Sequence, residues 1–170
     1  MNKIEVVPHN PKWREEFEKE EKYVAAGLGK CVVAIHHIGS TSIPGIYAKP
    51  VIDMLVEVTD IDVVDQLAPG MEALGYEVKG EFGIPGRRYF RKEDAYGFRT
   101  HQIHTFATGS PQAVRHLAFR DYLIAHPEDA LEYSELKRTL AEQHPYRMDD
   151  YIDGKNAFIN EIDRRASHRS

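Results

Sequence analysis

His37-Ile38-Gly39-Ser40-Thr41-Ser42-Ile43-Pro44-Gly45-Ile46-Tyr47-Ala48-Lys49-Pro50-Val51-Ile52-Asp53 joins two short runs rich in β-branched residues, one from Cys31 to Ile38 and one from Val51 to Val58. Both runs are nearly continuous in apolar residues, as strands in the middle of a sheet are. The linking segment opens on a Gly-Ser turn. Glycine lets the backbone approach a ligand closely, and small hydroxyl side chains beside free amides form a nest for phosphate. Gly39, Ser40 and Thr41 are the candidates, and a plain tight turn is the alternative. The turn is not a Walker A loop, because five residues separate Gly39 from Gly45 and no Lys-Ser or Lys-Thr pair follows.

Outward from this segment the elements follow in order. Ile4 to Val7 reads as a short strand. Asn10-Pro11 supplies an N-cap and a proline for the first helical position, and Trp13, Phe17, Val24 and Leu28 recur at helical spacing up to Gly27 or Gly29. Asp60 caps a helix through Val63, Val64, Leu67, Met71 and Leu74, closed by Gly75, and Tyr76 to Lys79 begins a strand. Arg88 to Arg91 and Phe98 to Phe106 flank a five-residue loop, 93–97, as a β-hairpin does. Beyond it Ser110-Pro111, His126-Pro127 and the Tyr151, Lys155, Phe158, Ile162 series mark three helices. The expectation is an α+β fold, a mixed β-sheet with one helical side and a helical C-terminal third, in a single domain over 1–170.

Composition narrows the function classes. With 170 residues, 42% hydrophobic and 29% charged, the chain matches a globular domain and neither a disordered nor a fibrous one. A lone cysteine, Cys31, excludes an internal disulfide or a zinc ribbon and points to a cytoplasmic setting. No apolar run approaches the roughly 20 residues that cross a bilayer. A net charge of -5 argues against a duplex-DNA binder, which needs a broad basic face, but allows a small local anion site.

Asp53 stands out because it interrupts an apolar strand, where a carboxylate is costly unless paired, hydrogen-bonded or metal-bound; capping a neighbouring loop is the plainer role. Period-two alternation puts Asp53, Leu55 and Glu57 on one face. Asp53 and Glu57 are then roughly 13 Å apart, too far to share an ion, so Glu57 reads as a solvated strand-end residue. Arg87, Arg88, Arg91, Lys92 and Arg99 against Glu93 and Asp94 leave the hairpin a surplus of three positive charges, which suits a phosphate or merely protects a sheet edge. His36 and His37 point opposite ways, as do His101 and His104. The aromatics Phe119, Tyr122, Tyr133, Tyr146 and Phe158 read as helix packing. No G-x-S-x-G elbow or HExxH motif is present.

The segment from His37 to Gly45, followed by Ala48-Lys49-Pro50-Val51-Ile52-Asp53, closely resembles the signature of the GrpB family, whose fold is of the nucleotidyltransferase (polymerase-β-like) type. Further matches run through Arg87-Arg88-Tyr89-Phe90, Ile103-His104, Leu117 to Leu123, His126-Pro127, Leu136-Lys137 and Lys155 to Ile159. The resemblance implies a Gly-Ser pair that opens a helix and grips nucleotide phosphates, and carboxylates that bind divalent metal for transfer of a nucleotidyl group to a hydroxyl. Carried over, Gly39, Ser40, Thr41, Lys49, Arg87 and Arg88 take the phosphate roles, and Asp53 and His104 the catalytic and metal roles. Leu55 stands where the second carboxylate belongs, and Gln102 and His104 where the third does, so a transition metal suits the set better than Mg²⁺. Similar domains fused to dephospho-coenzyme A kinase imply the other outcome, a non-catalytic accessory module with a nucleotide ligand and room for a protein partner.

Overall fold

The computed structural model describes residues 3–167. Helix α1, Lys12–Leu28, buries Trp13, Phe17, Glu20, Val24 and Leu28, the stripe expected from their spacing. It stops at Gly29, whose φ of 61° suits a residue without a side chain. Strands β1, Val32–Ile38, and β2, Ile52–Val58, pair antiparallel across the linking segment. The chain then forms α2, Ile61–Gln66, and α3, Ala68–Ala73. Sequence spacing predicts one helix here, but Pro69 lacks the N–H that would continue the ladder, and the element divides at Leu67.

Strands β3, Glu77–Val78, β4, Arg88–Glu93, and β5, Arg99–Ala107, complete a sheet of order β1-β2-β5-β4-β3. Only β2 and β5 run parallel, so the sheet is mixed. Helices α4, Pro111–Ala125, α5, Pro127–Gln143, and α6, Met148–Ser167, form the C-terminal third. Ser110 caps α4 by accepting a hydrogen bond from the Ala113 amide. The expected strand from Ile4 to Val7 shrinks to one bridge between Val7 and Ala48.

The sheet is covered on both faces rather than one. Met54, Val56, Val58, Phe90 and Ile103 pack with Trp13, Phe17, Val24, Leu28 and Met71 of the N-terminal helices. On the opposite face Ile38, Leu55 and Phe106 pack with Ala113 of α4. Further along, α4 to α6 close over Ile43 and Ile46 of the linking segment. The Gly-Ser turn therefore lies between the sheet and the helical third.

Candidate functional site

Gly39 has a φ of 74°, and a Cβ there would stand 2.6 Å from Asp53 Oδ2. Only glycine lets the end of β1 and the start of β2 bring the turn against that carboxylate. Ser40–Ser42 form one 3₁₀ turn and not the opening of a helix, as Ile43 returns to an extended conformation and Pro44 follows. Thr41 is buried; its hydroxyl donates to the Val51 carbonyl (3.3 Å) and meets His37 Nε2 at 2.9 Å, so it ties the segment's ends together. The Ser40 side chain reaches the Tyr133 phenol, which burial pushes up to about 12.

A cavity of about 210 Å³ opens between this turn and the helices, lined by Gly39, Ser40, Lys49, Asp53, Lys137 and Lys155 among others. Lys137 is 2% exposed, and its Nζ has no hydrogen-bond partner among the described residues. Burial first, then repulsion from Lys155 and Lys49, holds this amine down to about 7. Lys155 is held down to about 8 by burial and by Lys49. Lys49 is lowered too, by burial, with Asp53 opposing the effect. The lysines lie over ring faces, Lys137 at 4.6 Å from the Tyr133 centroid, Lys155 at 4.6 Å and Lys49 at 5.6 Å from that of Tyr151. Ring quadrupoles offset only part of the cost of burying an ammonium.

His104 stands beside Asp53, Nε2 to Oδ1 3.5 Å. Its Nδ1 faces Arg87 Nη1 at 3.2 Å. A guanidinium can only donate, so Nδ1 accepts and the neutral ring carries its proton on Nε2, toward Asp53. Arg87 is 7% exposed and also donates to the carbonyls of Glu81 and Phe82, with Tyr89 beneath it at 4.7 Å. It is thus a support behind His104 and does not line the cavity. His116 packs against His104 at 5.5 Å and is brought down to about 3 by burial and that neighbour.

Arg88 is not brought to this site. Alternation turns it to the other face, where its guanidinium grips both carboxylate oxygens of Asp65 (2.7 and 3.2 Å). The rest of the basic hairpin is neutralised as well, by partners outside it for Arg91, which meets Glu77 at 3.2 Å, and Lys92, which meets Glu20 at 2.8 Å, and by the hairpin's own Glu93 for Arg99 at 3.6 Å. Glu57 is not a solvated strand end, since it pairs with His36 at 2.8 Å and its side chain is 15% exposed. His101 lies near Glu20, away from His104.

The residues present do not fit a resident two-ion centre. Leu55, in the second carboxylate's place, is fully buried among Ile38, Phe106 and Ala113. Among the described residues no group of three His, Cys, Asp or Glu side chains is placed to share an ion. His104 offers Asp53 an N–H rather than a lone pair to a metal.

The GrpB protein family model matches residues 3–165. The chain belongs to the GrpB family. It is 49% identical over 164 residues to the UPF0157 protein YqkA of Bacillus subtilis, covering 96% of this chain but 47% of that one, about half its length. At 25% identity it also matches a dephospho-CoA kinase of Mycolicibacterium paratuberculosis, covering 96% of this chain and 46% of the kinase. Among solved structures, the conserved protein GrpB of Enterococcus faecalis superposes with a TM-score of 0.90 at 44% identity, over 95% of this chain and 96% of that one. Terminal uridylyl transferase 4 of Trypanosoma brucei with bound dUTP gives 0.57 at 13% identity, over 91% and 53%. The likeness to that transferase establishes the nucleotidyltransferase-type fold.

Sequence reasoning about this GrpB-family chain missed Lys137 and Lys155 as site residues. The signal was available: Ala130, Tyr133, Lys137, Leu140 and Ala141 form one apolar stripe, and Tyr151, Lys155 and Ile162 another. A lysine on a buried stripe needs an explanation that a surface lysine does not.

Proposed function

We propose that the cavity between the Gly39-Ser40 turn and α5 and α6 binds the phosphates of a nucleotide, and that this GrpB-family chain works as a cytoplasmic nucleotide-binding module. The observation that carries the reading is Lys137: a fully buried amine whose Nζ has no hydrogen-bond partner among the described residues, beside two more lysines of which neither is salt-bridged there. A protein retains such a charge at a cost of several kcal/mol unless an anion arrives to pair with it. The Ser40 hydroxyl lines the facing wall. The kinase relative of which this chain covers about half supports an accessory role beside a nucleotide-handling domain. Thermal unfolding with ATP, GTP, UTP and CTP tests the reading. Ligand at about 100 times its Kd stabilises by roughly 2.7 kcal/mol. Ser40→Ala and Lys155→Met should reduce that gain, and no shift with any nucleotide refutes the reading.

A second reading, transfer of a nucleotidyl group to a hydroxyl, is favoured by Asp53, which lines the same cavity with His104 at its side. It requires release of pyrophosphate from a nucleoside triphosphate, assayed with Mg²⁺, Mn²⁺ and Zn²⁺ and abolished in Asp53→Asn. Turnover that Asp53→Asn leaves intact, or no turnover with any of these ions, removes it.

A further inference from the structure

Resting on the phosphate-site reading, we infer that the cavity recognises the polyphosphate group itself, without a divalent metal, and leaves the base unread. Three features carry this.

The first is charge. Lys49, Lys137 and Lys155 line the cavity against one carboxylate, Asp53. Among the described residues the Lys137 Nζ has no hydrogen-bond partner, and the Lys49 Nζ donates to the Met148 sulfur at 3.9 Å rather than to a carboxylate. A metal ion on a triphosphate neutralises the charge that these lysines are placed to meet, and it would add a cation to a site already rich in them. With a net charge of -5 the protein as a whole repels polyanions, so attraction here is local.

The second is size. At about 210 Å³ the cavity is smaller than the roughly 300–1,000 Å³ that encloses a drug-sized ligand. A phosphate chain enters; ribose and base stay outside.

The third is the state of the aromatic walls. Tyr133 stacks on Phe158 at 5.3 Å and carries Lys137, Phe119 meets Tyr133 edge to face, and Tyr151 carries Lys155 and Lys49. These rings hold lysines in place and are already engaged, so a base finds no stacking platform among them. Gln102 is the one side-chain amide in the lining, too little to tell four bases apart.

Calorimetric titration of the full chain with sodium tripolyphosphate, ATP, GTP and UTP tests the inference, each in EDTA and again in excess MgCl₂. The expected result is that all four bind in EDTA, with Kd values within about fivefold of one another, and that Mg²⁺ does not tighten them. Lys137→Met, checked as folded by its unfolding transition, should weaken all four by about tenfold or more, while Lys22→Met on the exposed face of α1 changes none. Binding that requires Mg²⁺, or a preference of about tenfold or more for one base, overturns the inference and leaves the phosphate site standing. No binding of any nucleotide or of tripolyphosphate in either condition overturns the phosphate site as well.

Discussion

Replacing Lys137 by Met should make the ligand-free protein more stable and, in the same stroke, poorer at binding. Methionine keeps the length and apolar stem of lysine and removes the buried charge. The unfolded chain holds the Lys137 proton with an ordinary affinity near 10.5, the folded chain with one of about 7. Between those values the unfolded state binds more protons, so wild-type stability rises as pH climbs from about 7 toward 10.5 and is lowest below 7. At 1.36 kcal/mol per pH step this caps the burden at about 5 kcal/mol. Relaxation of neighbouring groups brings the expected gain for Lys137→Met at pH 7 to about 2 kcal/mol, or roughly 4–8 °C in Tm for a chain of this size. Urea unfolding at pH 7 and at pH 10 measures it, and the gain should nearly vanish at the higher pH, where the wild-type amine has already discharged. A variant less stable than wild type at pH 7, or a gain as large at pH 10, would show that Lys137 carries no burial penalty as an ammonium.

Other expectations follow from the same geometry. Because an incoming anion favours the charged form of Lys137 and Lys155, held at about 7 and 8 in the free protein, phosphate binding at pH 8 should take up protons; calorimetry in buffers of different ionisation enthalpy reads this directly, and no buffer dependence contradicts it. Arg88→Ala should cost about 1 kcal/mol in urea unfolding through the lost grip on Asp65 while leaving nucleotide affinity unchanged. Arg87→Ala should cost more, roughly 1–3 kcal/mol, since the carbonyls of Glu81 and Phe82 lose a buried donor. Gly39→Ala places a methyl against Asp53 Oδ2 at a positive φ, so a loss of roughly 1–3 kcal/mol and of the nucleotide-induced thermal shift is expected.

The sheet was legible because β1, β2 and the hairpin are short, β-branched and bounded by turn residues, α4 and α5 because each opens on a proline, and α6 because Tyr151, Lys155, Phe158 and Ile162 recur at helical spacing. The division of the 60–75 helix was written at Pro69 and overlooked in favour of its apolar spacing. Coverage of both sheet faces depends on where α4 docks, which no local pattern encodes. At the site, the resemblance to the GrpB signature named Asp53 and His104 together, and the β2–β5 register sets them side by side. Alternation would have separated Arg87 from Arg88, but composition alone treated the basic hairpin as one patch. Its charges are cancelled by Glu20, Asp65 and Glu77, partners from elsewhere in the chain that charge counting within the hairpin cannot see. Lys137 and Lys155 were hidden for the opposite reason: each is one residue in a long helix, and only the fold gathers them around the Gly39-Ser40 turn.

Titration of ATP into the wild-type protein and into the Lys49→Met, Lys137→Met, Lys155→Met triple variant asks whether these three lysines make the phosphate site. A saturable site is expected in the wild type and none in the folded triple variant. Equal affinity in the two proteins, or no binding to the wild type, would contradict that expectation.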